Sequence, residues 1–346
     1  MSKTLQDYAT LINDTIQSNE INHYITTDNM CQNLGGIDTF KNINIPQGKV
    51  RSFQKDDVLL SNIRLYFRKV YRAKQKGGCS SDVLVFRAKH IDSATLFAIL
   101  SSQIFTDYAC SGSQGSKMPR GNKTHMMDFK IPTINFTIAK IFNSIQNKIE
   151  NNHKINELLH TLAYKIYEYY FKYKPKNAKL EQIIIENPKS SIMVKNAQKT
   201  QDKYPFFTSG DNILSYPKAI IDGRNCFLNT GGNAGIKFYV GKASYSTDTW
   251  CICANEFSDY LYLLLSSIKT HINQSFFQGT SLKHLQKNLL KKYPIYMPSV
   301  HEIKKFNQII IPLLTLISIN TRASKKLEQI RDFLLPLLLK QQVKPQ

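Results

Sequence analysis

The chain has 346 residues, room for two ordinary domains with separate cores, and carries 46 Lys and Arg against 25 Asp and Glu, a formal net charge of +21. That excess favours a polyanionic partner, nucleic acid first, over a merely basic surface. Export and membrane insertion are not expected: Met1 to Asp7 lacks the apolar core of a signal peptide, and the longest apolar stretch, Ile309 to Ile319, is too short to span a bilayer and holds Pro312. A cytoplasmic location follows as the expectation.

In chain order, Asp56-Asp57 reads as a turn feeding a buried strand, Val58 to Arg64, and Val83-Leu84-Val85-Phe86 reads as another. Between them Arg64, Tyr66, Arg68, Lys69, Tyr71, Arg72, Lys74 and Lys76 interleave cations with aromatics, a surface able to neutralise phosphates and contact bases; an ordinary solvated strand face is the alternative. The Gly- and Ser-rich loop from Ser111 adds Lys117, Arg120 and Lys123. From Ile138 apolar residues recur in steps of three and four, Ile141, Ile145, Ile149, Asn152, Ile155, Leu159, Leu162, Ile166 and Tyr170, which predicts a long helix with a coiled-coil seam. A helix from Phe136 to Lys172 would be about 55 Å long, the span of about 16 base pairs. Lys174-Pro175-Lys176-Asn177 interrupts the pattern and marks a joint.

After the joint, Asn229 to Gly235 predicts a tight hairpin with Lys237, Tyr239 and Lys242 nearby, and Phe277 to His284 forms a second glycine loop with Lys283. A second seam runs Ile303, Phe306, Ile310, Leu313, Leu316, Asn320, Ala323, Leu327, Ile330, Leu334 and Leu337, with Pro312 expected to kink the helix or restart it. An Asn on each seam, Asn152 and Asn320, either fixes register or marks a wet stretch.

The chain also repeats itself. Cys79-Ser80-Ser81-Asp82-Val83 is answered 166 residues later by Tyr245-Ser246-Thr247-Asp248-Thr249, and Ile131-Pro132 by Met297-Pro298. Gln114-Gly115 returns as Gln278-Gly279 after 164 residues, and Asn152 as Asn320 after 168. A duplicated unit with loop insertions is implied, in the order globular, helix, globular, helix. The joint between the first helix and the second globular unit is short, so the helices should run antiparallel, with a pseudo-two-fold axis across the pair.

No catalytic arrangement is evident. Neither a G-x-G-x-x-G fingerprint nor a Walker lysine is present, and there is no Asn-Pro-Pro-Tyr or Asp-Pro-Pro-Tyr of amino-methyltransferases and no Gly-x-Ser-x-Gly elbow. The eight His show no zinc spacing, and Cys31, Cys79, Cys110, Cys226, Cys251 and Cys253 form no Cys-x-x-Cys pair, so they read as reduced structural thiols.

The pattern resembles the specificity subunit of type I restriction–modification systems over nearly the whole chain. The residues that carry the resemblance are Tyr24 to Met30 with Gly35-Gly36-Ile37, Asp57 to Arg64 and Ser80-Ser81-Asp82, then Tyr204 to Ser209 and the Gln278-Gly279-Thr280 loop before Pro298. It implies an α+β fold of two pseudo-symmetric target recognition domains, each followed by a long helix, the helices packed as an antiparallel coiled coil. The corresponding segments are 1–134 and 175–299 for the domains, 135–174 and 300–341 for the helices. It implies a non-catalytic subunit that reads a bipartite site in double-stranded DNA and directs adenine methylation by two modification subunits, which supply S-adenosylmethionine. Where the system restricts, restriction subunits add ATP- and Mg2+-dependent cleavage. The candidate DNA contacts are Arg64, Tyr66, Arg68, Lys69, Lys117, Arg120, Lys123, Lys237, Tyr239, Lys242 and Lys283; no metal or catalytic residue is assigned. Two departures stand out: Leu65 replaces a proline common in the family, and the second unit lacks a Ser-Asn-Ile-Arg strand. The alternative reading is a coiled-coil scaffold with non-specific nucleic-acid affinity.

Overall fold

The computed structural model describes residues 3–38, 43–131, 133–197, 203–210, 213–280 and 282–339. Pro132, Ser281 and the last residues assigned to the second helix lie outside them. The chain forms two compact units, residues 1–151 with 324–346, and residues 152–323. The division falls within both long helices rather than at their ends.

The first unit is built on two sheets. Strands β1 (Ala9–Ile12), β2 (Thr15–Gln17), β3 (Tyr24–Ile25), β4 (Lys49–Phe53), β5 (Val58–Ser61), β6 (Val70–Arg72), β7 (Gly77–Cys79) and β8 (Val83–Ala88) pair in the orders β1-β8-β5-β6 and β2-β4-β7-β3. The first sheet is antiparallel throughout; in the second, β3 and β7 run parallel. β5 is buried at every position, as its run Val-Leu-Leu requires. Leu60, Leu84 and Phe86 pack under the helix Ser93–Leu100, while Leu59, Val83 and Val85 face a second cluster around Phe53 and Ile25.

The second unit repeats this plan. It has β9 (Ala178–Lys179), β10 (Ile185–Glu186), β11 (Tyr204–Phe207), β12 (Leu214–Tyr216), β13 (Arg224–Asn229), β14 (Ile236–Val240), β15 (Ser244–Tyr245), β16 (Thr249–Cys253), β17 (Phe277–Gln278), β18 (His284–Leu285) and β19 (Pro294–Ile295). The order β10-β16-β13-β14 matches β1-β8-β5-β6, and the parallel pair β11-β15 matches β3-β7. β13 and β14 form the expected hairpin, with Asn229 N donating to Gly235 O at 3.0 Å. The strand that the second unit was expected to lack is therefore present as β13; only its motif differs.

The recurrent Ser-Ser-Asp and Ser-Thr-Asp have a clear structural duty. Ser80 N and Ser246 N each donate to the strand before, to Ile25 O and Phe207 O, both at 2.9 Å. The Asp82 and Asp248 carbonyls then hold the chain leaving β5 and β13, accepting from Asn62 N (2.8 Å) and Thr230 N (3.2 Å). One tight turn thus locks three strands in each unit.

Two long helices, Phe136–Tyr167 and Val300–Leu338, pack together antiparallel. Within the first unit Asn135 N donates to Leu338 O at 3.1 Å, and Gln146 meets Arg331; within the second, Asn156 meets Asn320 and Phe171 meets Phe306, with ring centroids 4.9 Å apart. The seam coincides with the predicted one at Ile149, Asn152, Ile303, Phe306 and Ile310, and elsewhere lies about one position from it. Ala139, Phe142, Gln146, Ile149, Asn152 and Ala163 are buried on the first helix, and Ile303, Phe306, Ile310, Leu314, Ile317, Ser324, Arg331, Leu335 and Leu338 on the second. Ile141, Ile155, Leu162, Leu316 and Ile330, counted as seam residues from the sequence, are exposed. The first helix runs on through a π turn, Glu168–Lys172, rather than breaking there. The second is continuous through Pro312, because that residue is exposed and the carbonyl its ring leaves unpaired can turn to water while Ile310 and Leu314 anchor the helix on both sides.

The second helix starts at a capping box. Ser299 Oγ accepts from Glu302 N at 3.3 Å, and Glu302 Oε2 accepts from Ser299 N at 2.9 Å and from the Tyr296 hydroxyl at 2.8 Å. The Ser299 amide, with Tyr296 assisting, holds the Glu302 carboxyl down to about 2, against 4.5 ordinarily. Its contribution is thus complete above pH 4.5 and fades as pH falls toward 2. In Glu302→Gln that part of the acid sensitivity should be absent, which hydrogen exchange of the helix's first turn at pH 3 and pH 6 would read; an unchanged pH response in the variant would disprove the assignment.

Candidate nucleic-acid interface

In the first unit Gln114 and Arg120 exchange backbone hydrogen bonds, 2.9 and 2.8 Å, and close a short hairpin turned by Gly115 at φ +100°. Two further bonds dock it on the end of β5: Arg64 N donates to Pro119 O at 2.9 Å, and Gly121 N to Asn62 O at 3.2 Å. Side chains add a latch. The Arg120 guanidinium reaches Asp82 Oδ1 from Nε (3.2 Å) and Nη2 (3.0 Å), and Arg64 Nη2 donates to Lys117 O at 3.3 Å.

The second unit builds the same frame from other side chains. β17 and β18 pair Gln278 with His284, and Gly279 turns the loop at φ +138°, where an added Cβ would stand 2.5 Å from Leu282 O. Gly232 N donates to Lys283 O (2.9 Å) and Leu285 N to Thr230 O (3.0 Å), which are the counterparts of the two docking bonds in the first unit. Arg64, held left-handed at φ +51°, has Gly232 at φ +80° in its place, and His284 stands where Arg120 does. The latch is not repeated: Asp248 Oδ1 is buried and meets no hydrogen-bond donor among the described residues.

The predicted contact residues divide into two groups. Tyr66, Lys117, Lys123, Lys242 and Lys283 are exposed, and Arg120 is exposed but ion-paired. Arg64 is half-buried over the hairpin, beginning a 3-10 turn, Leu65–Phe67, that forms with Leu65 buried. The others turn inward. Arg68 Nη2 caps a helix end at Ser101 O (2.9 Å), and burial draws its pKa below the ordinary arginine value. Lys69 Nζ donates to Thr27 O at 2.6 Å, and Lys237 Nζ to Thr208 O at 2.8 Å and Gly210 O at 2.5 Å. Tyr239, read as a surface aromatic, is only 3% exposed: its ring packs on Phe207, and its hydroxyl accepts from Arg322 Nη1 at 3.1 Å. A residue so enclosed has no face left for a base, so that assignment is corrected.

Arg72 and Lys74 are likewise structural, reaching Asn147 and, for Lys74, Glu150 at 2.8 Å on the first helix. All six cysteines are free thiols; burial pushes the Cys79 thiol up to about 12, far from a nucleophilic thiolate at neutral pH. Among the described residues no cluster of His, Cys, Asp or Glu could hold a metal, and no helix is long and apolar enough to cross a membrane. Outside the seam the helices expose large apolar side chains, Phe136, Ile141, Ile330 and Phe333 in the first unit and Leu158, Leu162, Leu316 and Ile319 among those in the second.

The sequence model of the type I restriction modification DNA specificity domain matches residues 176–329. No curated protein matches the chain. Among solved structures, the S subunit of a type I restriction–modification system from M. genitalium superposes with a TM-score of 0.64 at 13% identity, covering 99% of this chain and 96% of that one. The HsdS subunit from Thermoanaerobacter tengcongensis gives 0.37 at 13% identity, covering 98% and 96%. Residues 176–329 are thus similar to the type I restriction modification DNA specificity domain, and the whole chain shares the fold of that solved S subunit.

Proposed function

We propose that the chain is the non-catalytic recognition subunit of a type I restriction–modification system, each unit reading one half of a bipartite site in double-stranded DNA. The observation that carries this reading is the hairpin frame, present in both units with the same docking bonds and with different side chains. A shared frame sets two loops alike against DNA, and differing side chains suit two unlike half-sites. The net charge of +21 supplies the attraction to phosphates. The apolar residues exposed along the helices suit the docking of modification subunits, which would bring S-adenosylmethionine and flip the target adenine. In a restricting system a further subunit would add the ATP- and Mg2+-dependent step.

Selection from a pool of random duplexes, with the chain bound to its modification subunit, tests the reading. Two short fixed sequences separated by a constant gap are expected. Duplexes retained with no shared sequence would instead mark a scaffold with non-specific affinity.

A further inference from the structure

Both hairpins end on an exposed apolar side chain at the same place. Met118 is 54% exposed and Leu282 57%, each three residues beyond the glycine of its Gln-Gly turn. One exposed Met or Leu on a surface needs no explanation. Here, however, the two loops share only Gln and Gly at matched positions, and in each a cation adjoins the apolar tip: Lys117 before Met118, and Lys283 after Leu282. The frame beneath each tip is held by paired backbone bonds to the strand end.

The shape of the loop selects where such a tip can go. A two-stranded ribbon fits the major groove, about 12 Å wide, and not the minor groove, about 6 Å wide. In the major groove the one apolar feature on a base edge is the thymine C5-methyl group. We infer that Met118 and Leu282 are specificity-determining residues, each packing on the C5-methyl of a thymine in its own half-site while the adjoining lysine meets a phosphate. The inference rests on the DNA-recognition reading above.

The test uses the full chain bound to its modification subunit and the duplex selected by that complex. Each thymine of the duplex is replaced in turn by deoxyuridine, which removes the methyl group alone. One thymine per half-site should then bind about fourfold more weakly, the effect of one methyl group's burial. Met118→Ala should cancel that loss in one half-site and Leu282→Ala in the other, whereas Met118→Leu and Leu282→Met should keep it. The slope of affinity against salt should not change in any of these variants, because no phosphate contact is removed. The inference is overturned if no thymine behaves this way, or if one alanine variant cancels the losses in both half-sites; DNA recognition would still stand on the selected motif. Failure to select a motif would overturn the recognition reading and this inference with it.

Discussion

Arg331→Ala is expected to destabilise the first unit by about 3 kcal/mol. The side chain is only 3% exposed on the helix seam, where Nη1 donates to Gln146 Oε1 at 2.9 Å and Nε to Asp332 Oδ1 at 3.0 Å. Truncation leaves a cavity and strands the Gln146 oxygen, which the Arg331 guanidinium now satisfies. Gln146 cannot turn away freely, since its Nε2 is held by Leu34 O at 3.1 Å. Replacing both partners at once, Arg331→Met with Gln146→Leu, should recover most of the loss, because a well-packed apolar pair avoids the desolvation of a buried charge. The single tryptophan, Trp250, lies in the second unit, so its fluorescence reports the wrong part of the molecule. Hydrogen exchange at amides of β5 and β8 under mild urea reads the right one. An alanine variant within 0.5 kcal/mol of the parent would mean that the seam here is wet and the contact inconsequential.

Substituting alanine at Lys117, Lys123, Lys242 and Lys283 together should weaken binding to all duplexes alike. Each phosphate contact removed lowers the salt slope by about 0.9, so four would shrink the affinity lost between 50 and 200 mM salt by about a hundredfold. Arg68→Ala should leave that slope unchanged and reduce stability instead, because its guanidinium serves the Ser101 carbonyl. Titrations of a selected and a scrambled duplex at several salt concentrations distinguish the two effects. An unchanged slope in the quadruple variant would place the phosphate-binding face elsewhere.

The sequence carried the duplication because its anchors are turns with strict backbone demands. Ser80 to Asp82 and Ser246 to Asp248 must present the same amides and carbonyls, and Gly115 and Gly279 must take positive φ, so their types recur at nearly constant spacing. Buried runs such as Val83 to Phe86 were legible for the same reason: few alternatives satisfy a strand enclosed on both faces. The phase of the helix seam was legible only in part: Ile149, Asn152, Ile303, Phe306 and Ile310 lie on it as expected, and the rest is shifted by about one position. Ala139, Gln146, Ala163, Ser324 and Arg331 occupy it, and a reading by hydrophobicity moved to the neighbouring Ile and Leu stripe, which lies outside the seam.

Among the candidate contacts, Lys117 and Lys283 stand beside glycine turns and are exposed, as their place in the sequence suggests. Arg68, Lys69 and Lys237 read as surface cations in the sequence, whereas each donates to a carbonyl, of Ser101, Thr27 and Thr208, that is distant in sequence and becomes near only on folding. Tyr239 shares a face of β14 with Lys237, as strand alternation requires, but the lysine stem reaches out to the loop carbonyls while the ring is enclosed by Phe207 and Arg322, which sequence pattern does not show. The tips, Met118 and Leu282, carry no charge, and only the 164-residue repeat aligns them.

Strand-resolved mapping of methyladenine in DNA from cells expressing this chain with its modification subunit, against cells lacking the chain, tests the central claim most directly. The account predicts a new bipartite motif with a fixed gap and one methylated adenine in each half, dependent on the chain. A stable complex that adds no methylation at any defined sequence would contradict it.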